Sequence, residues 1–363
     1  MENLVNKAFN KITKQKILII GHAGYVGAVL ANYLKKNYFI FGIDTNWFNE
    51  NVLHKNTKKD FQPHKSLSQD IRKIDITKLG FIPDAIVYLA AISNDPMGNE
   101  FAKITHEINT SFCIKIANQA KKMGVSKFVF ASSCSIYGSA GNSKKKENHK
   151  INPLTDYAKS KVNSEKKLKS LSNKNFKVIS LRFATAAGYS PKLRLDLVFN
   201  DFVANSIIKK KILILSDGKP WRPLIHVKDM ARSINWAIDF ISKKNFIALN
   251  VGSNKWTFTI KKLANIVAKT MGNVEVEVNK NSQPDKRSYT VDFSLFKKLC
   301  KKYQPKENLE QSVKLLARKM IGCKSNFKNF RNSHKFIRLK TLIHLQKKKK
   351  LDKNLYWKPK SNL

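Results

Sequence analysis

Lys16-Ile17-Leu18-Ile19-Ile20-Gly21-His22-Ala23-Gly24-Tyr25-Val26-Gly27 is the stretch on which the fold turns. A short apolar run meets a glycine-rich turn, and a helical pattern from Tyr25 to Lys35 begins at once. Such a turn lets the backbone come close to a ligand, and the helix start offers free N–H groups and the positive end of its dipole to an anion. The spacing is G-x-x-G-x-x-G, one residue longer than the G-x-G-x-x-G turn that holds a dinucleotide pyrophosphate. Glycines also punctuate chains without binding anything, so the flanking sequence has to decide.

The flanks supply a parallel sheet. Phe39-Ile40-Phe41-Gly42-Ile43-Asp44 reads as a second strand ending in an acid. A carboxylate there can hold an adenosine ribose hydroxyl and repels the 2′-phosphate of NADP, which points to NAD. The plain alternative is a turn-forming Asp before Thr45-Asn46. Asp70-Ile71, after a third crossover, is placed to bracket the adenine. Further apolar runs, Ala85 to Ala90, Lys127 to Ala131 and Lys177 to Arg182, are separated by helical patterns at Ile104 to Met123 and Tyr157 to Leu171. Near-continuous apolar strands alternating with helices predict an α/β fold, a doubly wound parallel sheet covered on both faces. Residues 1–185 form this domain. After about residue 185 the alternation loosens, and 186–226 with 253–323 read as a smaller mixed α/β substrate-binding domain. Within 227–252, helix-like Val227 to Ile241 and strand-like Phe246 to Val251 return to the sheet. Residues 324–363 are a basic, weakly patterned extension expected to pack on the smaller domain or remain mobile. Its Lys347 to Lys350 run reads as solvated surface.

Lys+Arg number 69 against 25 Asp+Glu in 363 residues, a formal charge of +44. A nucleic-acid or membrane-surface partner, an anionic substrate and compositional drift all fit that excess. Its even spread, mostly as Lys among abundant Asn, Ile and Phe, favours drift over a clustered Arg footprint. Cys113, Cys134, Cys300 and Cys323 form no C-x-x-C pair and read as reduced thiols, and no spacing suggests a metal. Met1 to Lys16 lacks the apolar core of a signal peptide, and no apolar run reaches the roughly 20 residues of a membrane span. A cytoplasmic protein with no membrane span is expected.

Tyr157-Ala158-Lys159-Ser160-Lys161 carries the chemical signal. Tyr157 and Lys161, at i and i+4, share a helix face. A tyrosine with an ordinary pKa of about 10 is too weak a base at neutral pH, and a neighbouring ammonium together with an oxidised nicotinamide would stabilise its phenolate. Upstream, Ala131-Ser132-Ser133-Cys134-Ser135-Ile136-Tyr137-Gly138 closes an apolar strand, at the end where ligands sit in open α/β sheets. A hydroxyl there can hydrogen-bond a reacting oxygen.

Taken in order, Gly21/Gly24/Gly27, the Leu89-Ala90-Ala91 strand end, Ser-Ser-x-x-Ile-Tyr-Gly and Tyr157/Lys161 resemble the extended short-chain dehydrogenase/reductases. More narrowly, they resemble the nucleotide-sugar epimerase/dehydratase family, of the UDP-glucose 4-epimerase type. Asn109, Leu181-Arg182-Phe183, Trp221 to Asp229 and Pro284 to Arg287 extend the likeness over roughly residues 16–320. The resemblance implies a Rossmann-type sheet domain and NAD held by Gly21, Gly24, Tyr25, Val26, Gly27, Asp44, Asp70, Ile71, Leu89, Ala90, Ala91, Asn109, Tyr157 and Lys161. It makes Tyr157 the general base and acid, Lys161 the group that lowers its pKa and holds the nicotinamide ribose, and Ser133 the hydroxyl beside it. Ser132 is the bland neighbour. The substrate, a UDP-hexose, would meet Ser133, Thr185, Asn200, Arg222 and Asp285, with Arg222 on the diphosphate. Asp229 reads as a helix N-cap and His226 as a packed strand residue. A homodimer and a setting in polysaccharide synthesis are further implications.

Departures from the family pattern narrow the chemistry. Cys134-Ser135 stand where the dehydratases carry Asp-Glu, and Ser135 where the decarboxylases carry Glu. Cys134 reads as an inert buried thiol. His22 replaces a frequent glycine, and Thr185 stands where 4-epimerases often have Asn. The expected reaction is inversion at C4 through a transient 4-keto sugar, with no net redox change. A nucleotide-sugar reductase of the same family is the near alternative. A non-catalytic nucleic-acid-binding protein is the distant one.

Overall fold

The computed structural model describes residues 14–53, 61–139, 143–279, 287–323 and 327–359. The chain opens with β1 (Lys16–Ile20), α1 (Tyr25–Leu34), β2 (Phe39–Asp44), β3 (Lys65–Ser68) and β4 (Ala85–Tyr88). Next come α2 (Asp95–Glu100), α3 (Ala102–His106), a π-helical turn over Glu107–Phe112, and α4 (Cys113–Lys122). β5 (Lys127–Ser133), α5 (Asp156–Leu171) and β6 (Lys177–Phe183) complete this stretch. These strands and β10 (Phe246–Val251) form one seven-stranded parallel sheet, in the order β10-β6-β5-β4-β1-β2-β3. The inner strands β1, β4 and β5 are buried nearly throughout because helices cover both faces. β3 is a short, mostly exposed Lys-Ser-Leu-Ser edge strand, and polar edges of this kind resist pairing with other chains. Its lack of apolar pattern is why sequence reading reaches only the Asp70 that follows it.

Between the sheet strands lie β7 (Thr185–Ala187), α6 (Val198–Lys209), β8 (Lys211–Ile214), β9 (Trp221–His226) and α7 (Val227–Asp239). After β10 follow β11 (Thr257–Thr259), α8 (Ile260–Thr270), β12 (Glu275–Val278), α9 (Ser294–Leu299), α10 (Leu309–Ile321) and α11 (Arg338–Lys347). β11, β9 and β7 make a small mixed sheet, and β12 pairs with β8 in parallel. The fold is thus a Rossmann-type doubly wound sheet with a smaller mixed lobe. Two apolar clusters sandwich the large sheet, and a third fills the smaller lobe. No helix among the described residues is long and apolar enough to cross a membrane. The four cysteines are free thiols.

The basic extension differs from a surface tail. Phe327, Phe330 and Phe336 are buried in the core of the smaller lobe, while Leu342, Leu351 and Leu355 are buried against the large sheet. The segment therefore bridges both lobes. Arg331 donates to Asp201 and to the Leu213 carbonyl. Arg72 donates to the carbonyls of Asn354 and Leu355, and the Trp357 indole donates to the Thr45 carbonyl at 2.6 Å. Lys347 to Lys350 are exposed. The segment's apolar residues contact two separate lobes, so they fall into no single helical or strand period.

Candidate active site

The β1–α1 turn is set by close approaches. Gly21 has φ +94°, and a Cβ there would lie 2.6 Å from the Ala90 nitrogen. A Cβ on Gly27 would lie 2.2 Å from the Gly21 carbonyl oxygen. These are contacts no side chain could fill. Gly24 is different: its Cβ position meets only the Gly21 oxygen, at 3.3 Å, and otherwise faces open space. It stands at the start of α1 with no side-chain cap. The first N–H groups of the helix, which have no acceptor within it, therefore line the cleft at Tyr25, Val26 and Gly27. His22 turns the other way, buried beneath β2, where a Cβ on Gly42 would lie 2.4 Å from its ring. Burial lowers its pKa, so the ring is neutral.

The cleft has a volume of about 1050 Å³ and runs between the lobes. That is at the upper end for small-molecule sites. At one end lie Gly21 to Gly27 (His22 and Ala23 apart), Asp44, Asp70, Ile71, Leu89, Ala90 and Ala91; at the middle lie Ser133, Tyr157 and Lys161; beyond them lie Thr185 and Arg222. Asp44 accepts hydrogen bonds from the Ala23 and Asn46 amides at 3.0 and 2.8 Å, which aims its carboxylate across the end of β2. Asp70 lines the cleft, but its carboxylate is held by Arg72 at 2.7 and 3.0 Å.

Two of the expected contact residues lie behind the wall. Asn109 is fully buried; it accepts from the Ile92 amide and donates to the Ile92 carbonyl and to Ser160, tying the β4–α2 loop to α5. Asn200 accepts from the Gly188 amide and donates to the Arg194 carbonyl and the Tyr25 hydroxyl. It latches the loop after β7 to α1. Asp285 lies outside the described residues. Asp229 sits inside the first turn of α7 and accepts from the Lys306 and Glu307 amides; the capping group is His226, which accepts from the Lys228 amide at 3.2 Å. A histidine at the cap left no familiar signal. Burial lowers the His226 pKa to about 4, keeping it a neutral acceptor.

α5 starts on a Thr155 cap, whose hydroxyl accepts from the Ala158 amide and donates to Asp95 at 2.6 Å. That places Tyr157 and Lys161 against the end of β5. The Tyr157 hydroxyl is hydrogen-bonded to Ser133, and the Ser133 hydroxyl also accepts from the Ser135 amide at 3.1 Å. Lys161 is buried, donates to the Ala131 carbonyl at 2.7 Å and lies over the Phe130 and Tyr157 rings. Burial lowers its pKa from 10.5 to about 8. Burial likewise pushes Tyr157 up to about 12, with the Ser133 hydrogen bond and Arg194 opposing and Asp95 reinforcing the rise. Burial thus keeps the phenol protonated at neutral pH, and the acidification expected of Lys161 calls for the charge of an oxidised nicotinamide as well. Desolvation outweighs the Ser133 hydrogen bond and the charge of Arg194.

Cys134 is fully buried, and its thiol donates to the Arg182 carbonyl. Burial raises its pKa, so it is inert. Arg182 is itself held by Glu165 beneath the site. The hydroxyls of Ser132 and Ser135 are buried in the cleft wall with no hydrogen-bond partner among the described residues. Further charged residues line the cleft, among them Asp95, ion-paired with Arg287, Arg194, paired with Asp196 at 2.9 Å, and Asp201, paired with Arg331. Of these, only Arg287 falls in a motif that the sequence singled out. Arg194 and Asp196 alternate with Leu193 and Leu195 in an irregular loop, which reads as ordinary amphipathic sequence.

An exposed helix start, a glycine that leaves the cleft open, and an acid at the end of β2 fit a dinucleotide. A Ser–Tyr–Lys cluster at the strand ends of the Rossmann-type sheet completes the cleft. The model of the NAD dependent epimerase/dehydratase family matches residues 17–252, and the chain belongs to that family. It is 27% identical over 305 residues to a putative UDP-glucose 4-epimerase of Methanocaldococcus jannaschii, covering 82% of this chain and 96% of that protein. Among solved structures, the UDP-N-acetylglucosamine 4-epimerase of Methanobrevibacter ruminantium, in complex with UDP-N-acetylmuramic acid, superposes with TM-score 0.74 at 21% identity. It covers 86% of this chain and 99% of that one. The UDP-glucuronic acid 4-epimerase of Bacillus cereus, with UDP-glucuronic acid and NAD, gives TM-score 0.72 at 23% identity, covering 84% and 99%.

Proposed function

We propose that this chain is an NAD-dependent nucleotide-sugar epimerase that inverts C4 of a UDP-hexose through a transient 4-keto sugar. The observation that carries the reading is the company kept by Tyr157. Ser133 and Lys161 stand beside it, while the two positions after Ser133 offer a buried thiol and a neutral hydroxyl. The nearest cleft carboxylates, Asp95 and Asp196, are held by arginines. A site so equipped moves a proton at one hydroxyl and lacks the free acid–base group that elimination or decarboxylation needs.

Bound at the Gly21–Asp44 end, NAD⁺ would supply a hydride acceptor, later a donor, and a positive charge near the phenol. Tyr157 takes the proton of the 4-hydroxyl and returns it after the sugar has turned. Ser133 hydrogen-bonds the same oxygen and keeps it in line. Lys161 anchors Tyr157 and contributes the ammonium that the phenolate needs. Arg222, on β9, meets the diphosphate, and Thr185 faces the sugar. Residues 1–185 with 227–252 serve the dinucleotide, and 186–226 with 253–323 serve the substrate. NMR of the protein incubated with NAD⁺ and UDP-hexoses is expected to show conversion to the C4 epimer, with turnover reduced by roughly 10²–10⁴-fold in Tyr157→Phe. Steady change of absorbance at 340 nm with no epimer formed would overturn it in favour of a reductase.

A further inference from the structure

We propose that the C-terminal segment completes the dinucleotide end of the cleft, with Arg338 as its phosphate-binding cation. The inference rests on the dinucleotide reading above and adds a residue from outside the matched family region, residues 17–252.

Arg338 opens α11 and lines the cleft, yet only 2% of its surface is exposed. One amino group donates to the Lys192 carbonyl at 3.1 Å. The other is buried with no hydrogen-bond partner among the described residues. The guanidinium lies 4.0 Å above the Phe48 ring, a contact that steadies a cation without neutralising it. Arg72, Arg182 and Arg194 show the usual arrangement in this fold: each is buried and each grips a carboxylate. Arg338 pairs with no carboxylate among the described residues. Arg194 lies close enough to work against its charge, and Asp196 and Asp44 work for it from a distance. A guanidinium does not give up its proton in proteins, so this is a buried cation short of one acceptor. Leaving such a group unsatisfied is costly unless a ligand supplies the partner.

Its neighbours say which ligand. Phe48 and Asp44 lie at the end of β2, and Lys192 neighbours His22 in the β1–α1 turn. Trp357 of the same C-terminal segment reaches Thr45, next to Asp44. Arg222, on β9 of the smaller lobe, and Arg287, paired with Asp95 near Tyr157, line other parts of the cleft. The anion that reaches Arg338 is therefore a phosphate of the dinucleotide.

The test is calorimetric titration of nucleotide-free protein with ADP-ribose and with UDP, for wild type, Arg338→Met and Arg338→Lys, beside the melting temperature without ligand. Expected in Arg338→Met is a weakening of ADP-ribose binding by about 10- to 100-fold, partial recovery in Arg338→Lys, unchanged UDP binding, and a ligand-free melting temperature equal to or above wild type. Unchanged ADP-ribose binding overturns the inference. Weakening confined to UDP moves the charge to the nucleotide sugar and overturns it too, as does a lowered melting temperature with both ligands weakened alike, the mark of a packing role. If wild type binds UDP but no ADP-ribose, the dinucleotide reading itself fails, and this inference with it.

Discussion

The β1–α1 unit, residues 16–34, and the C-terminal segment, residues 327–359, wall the same end of one cleft, yet only the first is legible in sequence. In the first, the constraints are mostly local: glycine at Gly27 because its own turn passes within 3 Å, glycine at Gly21 because φ is +94°, and one continuous apolar run in β1. In the second, the constraints are distant. Phe330 and Leu342 are buried in different lobes, and Arg331, Thr341 and Trp357 bond to residues early or midway in the chain. Local demands leave a pattern in neighbouring residues. Long-range ones leave only composition, here a basic tail.

The harshest way to break the comparison is to end the chain after residue 326. That removes Phe327, Phe330, Phe336, Leu342, Leu351 and Leu355, all buried. At about 2 kcal/mol each, their loss rivals the roughly 5–15 kcal/mol of net stability a protein has. The shortened chain is expected to be insoluble or unfolded by circular dichroism; a folded product would show the segment to be an appendage. Phe330→Ala tests one anchor, with about 3–5 kcal/mol lost in urea denaturation. Gly27→Ala tests the other region: a methyl 2.2 Å from the Gly21 oxygen is expected to cost about 3 kcal/mol and to abolish dinucleotide binding by moving α1.

Lys161 sharpens the electrostatic side. Its pKa falls from 10.5 to about 8 on folding, so between those values the unfolded chain holds more protons than the folded one. The ligand-free protein should therefore gain stability as pH rises from 8 to 10.5, by up to about 3 kcal/mol for the 2.5-unit span. Lys161→Met should remove that part of the slope in a pH series of urea melts, and an unchanged slope would refute the assignment. The smallest effect belongs to Trp357→Phe, which loses the bond to the Thr45 carbonyl. With the ring half-exposed, about 1 kcal/mol is expected, read as a small fall in the urea midpoint.

Much of the site followed from residue type at a fixed offset. Tyr157 and Lys161 share a helix face because of the helical period, and both line the cleft. Asp44 stands where a parallel strand ends. What failed to show was partnership. Asn109 and Asn200 carry polar side chains that read as ligand contacts, but they satisfy loop backbone behind the wall. Arg194, Asp196 and Arg287 enter the cleft from irregular segments with no period, and Asp95 from the first turn of a short helix. The protonation of Tyr157 was not readable either, since desolvation depends on what encloses the ring.

The sequence by itself determined the strands of the sheet, the glycine turn after β1 and the helix face shared by Tyr157 and Lys161, because each is governed largely by residues within a turn or a strand of one another. The tertiary structure alone decided which polar groups face the cleft, which carboxylates are already claimed, and that a basic tail buries Arg338 beside Phe48 at its far end. Those are matters of burial and partnership, and both are properties of residues brought together only when the chain has closed on itself.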